Sequence, residues 1–180
     1  MKKKPVADRL RWAAEILSKE LKPSDRLLEI GCGNGALVSC IAPHLQEGNI
    51  VAIDRSAAMI EAAVKLNAEA VASGHAEFKA SDLLQADVDV SGGKFNKVYA
   101  VNVNLFWTGA ARAELEWIKD RLLPGGAVFL FNQPPTADRI DLTAGRMRQA
   151  LLEAGLSVRP LLADRRPKVP VVCVIGDLQN

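Results

Sequence analysis

The run Leu27-Leu28-Glu29-Ile30-Gly31-Cys32-Gly33-Asn34-Gly35-Ala36-Leu37-Val38 narrows the choice of fold more than any other part of the chain. Leucine and isoleucine up to Ile30 suit a buried parallel strand. Three glycines at alternate positions follow at once, and Ala36, Leu37 and Val38 open a helical pattern. Glycine has no Cβ, so the chain can turn sharply there and bring its backbone against a ligand. The helix that follows is expected to offer free N–H groups and a positive dipole end. Strand, glycine turn and helix in that order form a loop for a nucleotide-type cofactor.

The rest of the chain supplies the elements such a loop needs around it. Val6, Leu10, Ala13, Ala14, Leu17 and Leu21 follow helical spacing until Pro23 stops it. Strand one spans about 25–31, and the helix after the glycines runs to about His44, with Pro43 near its end. Strand two is 49–54, and Ser56 caps a helix that reaches about Ser73 before Gly74. Strand three is 76–80 and strand four 94–102. Ala111, Leu115, Ile118 and Leu122 mark the next helix, which Pro124-Gly125-Gly126 breaks before strand five at 127–132. A helix over 140–154 closes at Gly155. Two last strands, near 156–163 and 169–176, have only five residues between them and pair as an antiparallel hairpin. Strands alternating with helices give right-handed βαβ units. The fold class is α/β, a doubly wound, mostly parallel sheet with helices on both faces.

A chain of 180 residues, 49% apolar and 24% charged, reads as one soluble domain over 1–180, with a helical segment at 1–22 and a core at 24–180. No run approaches the roughly 18 apolar residues of a membrane span. Asp8, Arg9 and Arg11 interrupt any signal-peptide core. Cys32, Cys40 and Cys173 are an odd number without C-x-x-C spacing, which suits a reduced cytoplasmic protein without a metal site. Residues 1–26 carry eight Lys/Arg against four Asp/Glu, and 27–136 carry eight against twelve. The basic arm, with Lys2, Lys3 and Lys4, is either a solvated tail or a dock for an anionic partner such as nucleic acid.

In a doubly wound sheet, ligands lie outside the carboxyl ends of the strands. Glu29 and the glycines, then Asp54, Ser81 with Asp82, Asn102 with Asn104, and Asn132 with Gln133 all fall at those ends. Asp54 stands 19 residues after Gly35, close to the ~20 expected of an acid that accepts hydrogen bonds from ribose hydroxyls. The same loop also fits the dinucleotide pattern Gly31-x-Gly33-x-x-Ala36. A nicotinamide dehydrogenase, however, needs a further substrate domain, for which 180 residues leave little room.

Over nearly its whole length the chain resembles the class I S-adenosylmethionine-dependent methyltransferases, in their small single-domain form. Glu29-x-Gly31-x-Gly33-x-Gly35 is similar to that family's first motif, Val51-Ala52-Ile53-Asp54-Arg55-Ser56 to its second and Ser81-Asp82-Leu83-Leu84 to its third. Leu122-Leu123-Pro124-Gly125-Gly126 resembles the turn before strand five. The resemblance implies a seven-stranded sheet of order 3-2-1-4-5-7-6 with the last strand antiparallel, and S-adenosylmethionine as cofactor. It implies that Glu29 and the loop backbone at Gly31, Cys32, Gly33 and Gly35 hold the amino-acid end, while Asp54, beside Arg55, holds the ribose. Asp82, between Ser81 and Leu83, would bind the adenine amino group or simply cap a helix. Met59 would pack on the adenine or belong to the core. The backbone from Asn102 to Asn104 would line the methionine side.

For catalysis, His44 and His75 fall at the opposite edge of the sheet from the cofactor. The acceptor side has Asn104, Trp107, Asn132 and Gln133, with Asp138 and Asp141 nearby. Asn102-Val103-Asn104-Leu105 departs from the Asn-Pro-Pro-Tyr pattern of amino-methylating nucleic-acid enzymes. Trp12 and Ile16, off the main stripe of the first helix, either cover the acceptor or pack on the flank. The expected activity is methyl transfer to a small molecule. The alternatives are a macromolecular acceptor, protein or RNA, and a non-catalytic cofactor-binding regulator.

Overall fold

Strand β1 (Arg26–Ile30) sits in the middle of the sheet with all five residues buried, the environment its leucines and isoleucine require. The structure is a computed structural model and describes residues 6–88, 93–109, 111–166 and 170–179. Parallel neighbours β2 (Asn49–Asp54) and β4 (Phe95–Val101) flank β1. Beyond them lie β3 (Ala76–Ala80) and β5 (Leu122–Asn132), again parallel. The far side of β5 carries β8 (Val171–Asp177) antiparallel, and β6 (Ser157–Val158) and β7 (Leu162–Asp164) both pair antiparallel with β8. The order is β3-β2-β1-β4-β5-β8-β6. The expected α/β order therefore holds, with the sixth strand in two pieces separated by 159–161, where Pro160 has no N–H to give a ladder.

Successive strand residues point to opposite faces, so each strand feeds two cores. Leu28, Val51, Val98 and Val128 meet Leu115 and Ile118 of α6 (Arg112–Arg121) and Met147 of α7 (Ile140–Glu153). Leu27, Ile50, Tyr99 and Phe129 meet Leu17 of α1 (Asp8–Glu20) and Ile41 of α2 (Val38–Ile41). Trp12 stands edge-on to Phe131, 6.1 Å between ring centroids, and with Ile16 packs partly buried against this second core. The flank-packing alternative is what the structure shows for both. Lys2, Lys3 and Lys4 lie outside the described residues. Among the described residues no helix is long and apolar enough to cross a membrane.

Several boundaries differ from expectation. The helix after the glycines is only four residues of α-helix, followed by a 3-10 turn at Ala42–His44 that has Pro43 within it. So short a helix has little macrodipole, and the positive dipole end expected after the glycines is correspondingly weak. The single helix expected to Ser73 is broken at Asn67 into α3 (Ala57–Leu66) and α4 (Ala68–Ala72). Leu122 begins β5 rather than ending α6, and the ladder between β4 and β5 shifts register around the Pro124-Gly125-Gly126 turn. A short α5 (Leu105–Thr108) follows β4.

Candidate active site

The carboxyl ends of β1, β2, β3 and β4 open onto one cavity of about 630 Å³. Gly31 comes from the end of β1, and Asp54 and Arg55 from the end of β2. Ser81, Asp82 and the 3-10 turn Leu83–Gln85 follow β3, Asn102 to Leu105 follow β4, and Glu114 comes from the first turn of α6. Eight of the residues expected from sequence thus share one wall: Gly31, Asp54, Arg55, Ser81, Asp82, Leu83, Asn102 and Asn104.

All three loop glycines have positive φ, +71° at Gly31, +52° at Gly33 and +72° at Gly35, a conformation costly to residues with a Cβ. Their surroundings separate their roles. A Cβ on Gly31 would stand 2.6 Å from Val103 Cγ2, and one on Gly35 would stand 2.6 Å from Asn67 Nδ2 and 2.9 Å from Ala63 Cβ. Those two permit close packing of protein on protein. A Cβ on Gly33 would meet nothing within 4 Å, so the Cα of Gly33 is open on that side. The Gly33 N–H donates to Asp54 Oδ2 at 2.9 Å, while Asp54 Oδ1 accepts from the Ser56 N–H at 2.9 Å. Each carboxylate oxygen keeps capacity for a further bond. An open glycine beside an anchored carboxylate fits the ribose end of a nucleoside cofactor.

Glu29 lies behind the loop rather than in the cavity wall. It is buried, and its Oε2 accepts from the Tyr99 hydroxyl at 3.3 Å. Tyr99 is opposite it in the β1–β4 register. Burial pushes the Glu29 carboxyl up to about 8, opposed by the Tyr99 bond and assisted by the charge of Asp54. Burial likewise holds the Cys32 thiol well above its ordinary range. Gly31 and Cys32 both donate their N–H to the carbonyl of Ile53, at 2.8 and 3.0 Å, which binds the loop to β2.

Asp82 makes no side-chain cap on the 3-10 turn that follows it. Its carboxylate faces the cavity, 3.8 Å from Arg55 Nε, in a solvent-exposed pair of little energetic worth. Asn102 has φ of +56°. Its Oδ1 accepts from the Gln133 N–H at 2.7 Å and from Asn132 Nδ2 at 3.5 Å. The buried Asn132 thereby ties the ends of β4 and β5 behind the wall instead of lining it. Trp107 is half-buried on α5 against the core, and Met59 is 44% exposed on α3. Neither lines the cavity, and the core alternative for Met59 is overturned. Asp141 pairs with Arg165 at 2.6 Å, and Asp138 is held low by a bond with Thr136. His44 and His75 lie at the opposite edge, where His75 contacts Ser73 Oγ and the Gln46 carbonyl.

Sequence reasoning missed Glu114, Gln85, Tyr99 and Asn67. The Asn67 amide donates to the carbonyls of Gly35 at 3.0 Å and Ala63 at 2.9 Å. It breaks the helix and bolts the glycine loop from behind in the same contact. A lone Asn four residues after Ala63, inside a helical stretch, was its visible signal. Tyr99 was findable by setting strand four beside strand one.

The sequence pattern of the methyltransferase domain family matches residues 27–126, which hold β1 from its second residue, β2 to β4 and every cavity residue above. The chain belongs to the class I S-adenosylmethionine-dependent methyltransferases. S-adenosylmethionine is the family's cofactor. Over 119 residues the chain is 29% identical to carboxy-S-adenosyl-L-methionine synthase of Stutzerimonas stutzeri (strain A1501), covering 64% of this chain and 48% of that one. Over 121 residues it is 31% identical to protein-L-isoaspartate O-methyltransferase 1 of Arabidopsis thaliana, covering 64% and 49%. The chain thus spans about half the length of these curated relatives. In fold it is similar to magnesium protoporphyrin IX methyltransferase from Synechocystis PCC 6803, solved with bound S-adenosylmethionine. That TM-score is 0.71 at 19% identity, over 94% of this chain and 78% of the other.

Proposed function

We propose that this chain binds S-adenosylmethionine in the cavity at the carboxyl edge and transfers its methyl group to a small molecule. The observation that carries the reading is the meeting of Gly31, the Asp54 carboxylate held by the Gly33 N–H, and Ser81, Asp82, Asn102 and Asn104 around one cavity. The sulfonium of the cofactor supplies an already activated methyl group. The chain's own residues then have the work of holding and aiming. Asp54 accepts from the ribose hydroxyls, Asp82 from the base amino group, and the backbone at Gly31 and from Asn102 to Asn104 flanks the methionine portion. Fixing donor and acceptor in line can remove a large part of the barrier by itself. The bonds that Gln133 and Asn132 donate to Asn102 fix the wall past which an acceptor would approach. The departure of Asn102-Val103-Asn104-Leu105 from the Asn-Pro-Pro-Tyr pattern of amino-methylating nucleic-acid enzymes supports a small acceptor.

The test is isothermal titration with S-adenosylhomocysteine, the demethylated product. The wild type is expected to bind. Asp54→Ala is expected to lose about tenfold or more, the worth of a charge-assisted hydrogen bond. Equal affinity in the two proteins, or no binding by the wild type, would contradict the reading.

A further inference from the structure

The cavity has two ends that the fold distinguishes. Gly31 and Asn102 stand where the neighbouring strands β1 and β4 finish. Asp54 finishes β2, and Ser81 to Gln85 follow the edge strand β3. A nucleoside whose ribose rests on Asp54 and whose methionine portion runs toward Asn102 must place its base toward 81–85. Helix α6 packs against that same 3-10 turn, and Glu114 in its first turn is part of the cavity wall. Glu114 is half-buried and lines the same cavity as Leu84 and Gln85. Its carboxylate makes no hydrogen bond or ion pair with another described residue. Its oxygens are thus left to accept from solvent or from a ligand in the cavity.

An adenine amino group has two N–H donors, and Asp82 can take one of them. We infer that Glu114 takes the second and is a specificity-determining residue for the purine amino edge. The assignment rests on the proposed binding of the cofactor in this cavity. A site with two acceptors at the amino edge discriminates against a base without the donors, because the bound base shields those acceptors from water and leaves them unpaired.

The experiment titrates two ligands into wild type, Glu114→Ala and Glu114→Gln. One ligand is S-adenosylhomocysteine, and the other is its 6-deamino analogue, in which purine replaces adenine. Wild type is expected to prefer the amino ligand by about tenfold or more. Glu114→Ala is expected to cut that preference roughly fivefold by weakening the amino ligand alone. Glu114→Gln, which keeps an acceptor oxygen, is expected to recover part of it. Equal weakening of both ligands, or an unchanged preference, would overturn the assignment while leaving the cofactor site standing. Failure of the wild type to bind either ligand would overturn the reading of the cavity and this assignment with it.

Discussion

Glu29 is a carboxyl with a phenol for its partner, in a position where its charge is costly. Burial raises its pKa from 4.5 to about 8, so between those values the folded protein keeps a proton that the unfolded chain has lost. Stability contributed by the protonated form is complete below pH 4.5 and is lost as pH rises toward 8. The cost across that window is on the order of a few kcal/mol. Glu29→Gln carries no such titration. Urea melts of the ligand-free proteins at pH 5.5 and 8.5 should show the wild type losing clearly more stability than the variant as pH rises. Parallel losses would mean that Glu29 ionises normally. Glu29 itself was legible in the sequence as the acid before the glycines, but its unusual state was not, since that depends on Tyr99 covering it from β4. Glu114 was hidden for a related reason. Next to Leu115 on an amphipathic helix it reads as a solvated side chain, and only the tertiary fold brings it into the cavity wall.

Among elements, the strand ends were the most readable part of the chain. Gly31, Asp54, Ser81, Asp82, Asn102 and Asn104 were placed by counting along βαβ units, and strand direction alone brings them to one edge. Helix lengths were less readable, because a tertiary hydrogen bond can end a helix that local propensity would continue. Asn67 does so, spending its amide on Gly35 and Ala63 at the break between α3 and α4. Replacing it with Ala removes both bonds and favours one continuous helix. Asn67→Ala should lower the melting temperature by several degrees, from about 1–2 kcal/mol lost. It should also weaken S-adenosylhomocysteine at least about threefold, because the loop loses its rear anchor. A lower melting temperature with unchanged affinity would make Asn67 a purely structural residue.

At the scale of the molecule, the sheet divides its polar residues by edge. The carboxyl edge holds the cavity, while His44 and His75 lie at the opposite edge. The far flank is closed by Arg159, whose guanidinium bonds both oxygens of Asp177 at 2.7 and 2.8 Å and Glu20 at 2.9 Å, joining α1 to β8. Trp12 is committed to Phe131 on that flank. The ligand is therefore expected to reach its site between the loops that follow β3 and β4, with α1 acting as support. A crystal structure with S-adenosylhomocysteine bound measures this directly. The ribose hydroxyls should lie within hydrogen-bond distance of the Asp54 carboxylate, with the base between Ser81–Gln85 and Glu114 and the sulfur near the Asn102 to Asn104 backbone. A ligand seated elsewhere, or one reversed so that its base meets Asn102, would contradict the account.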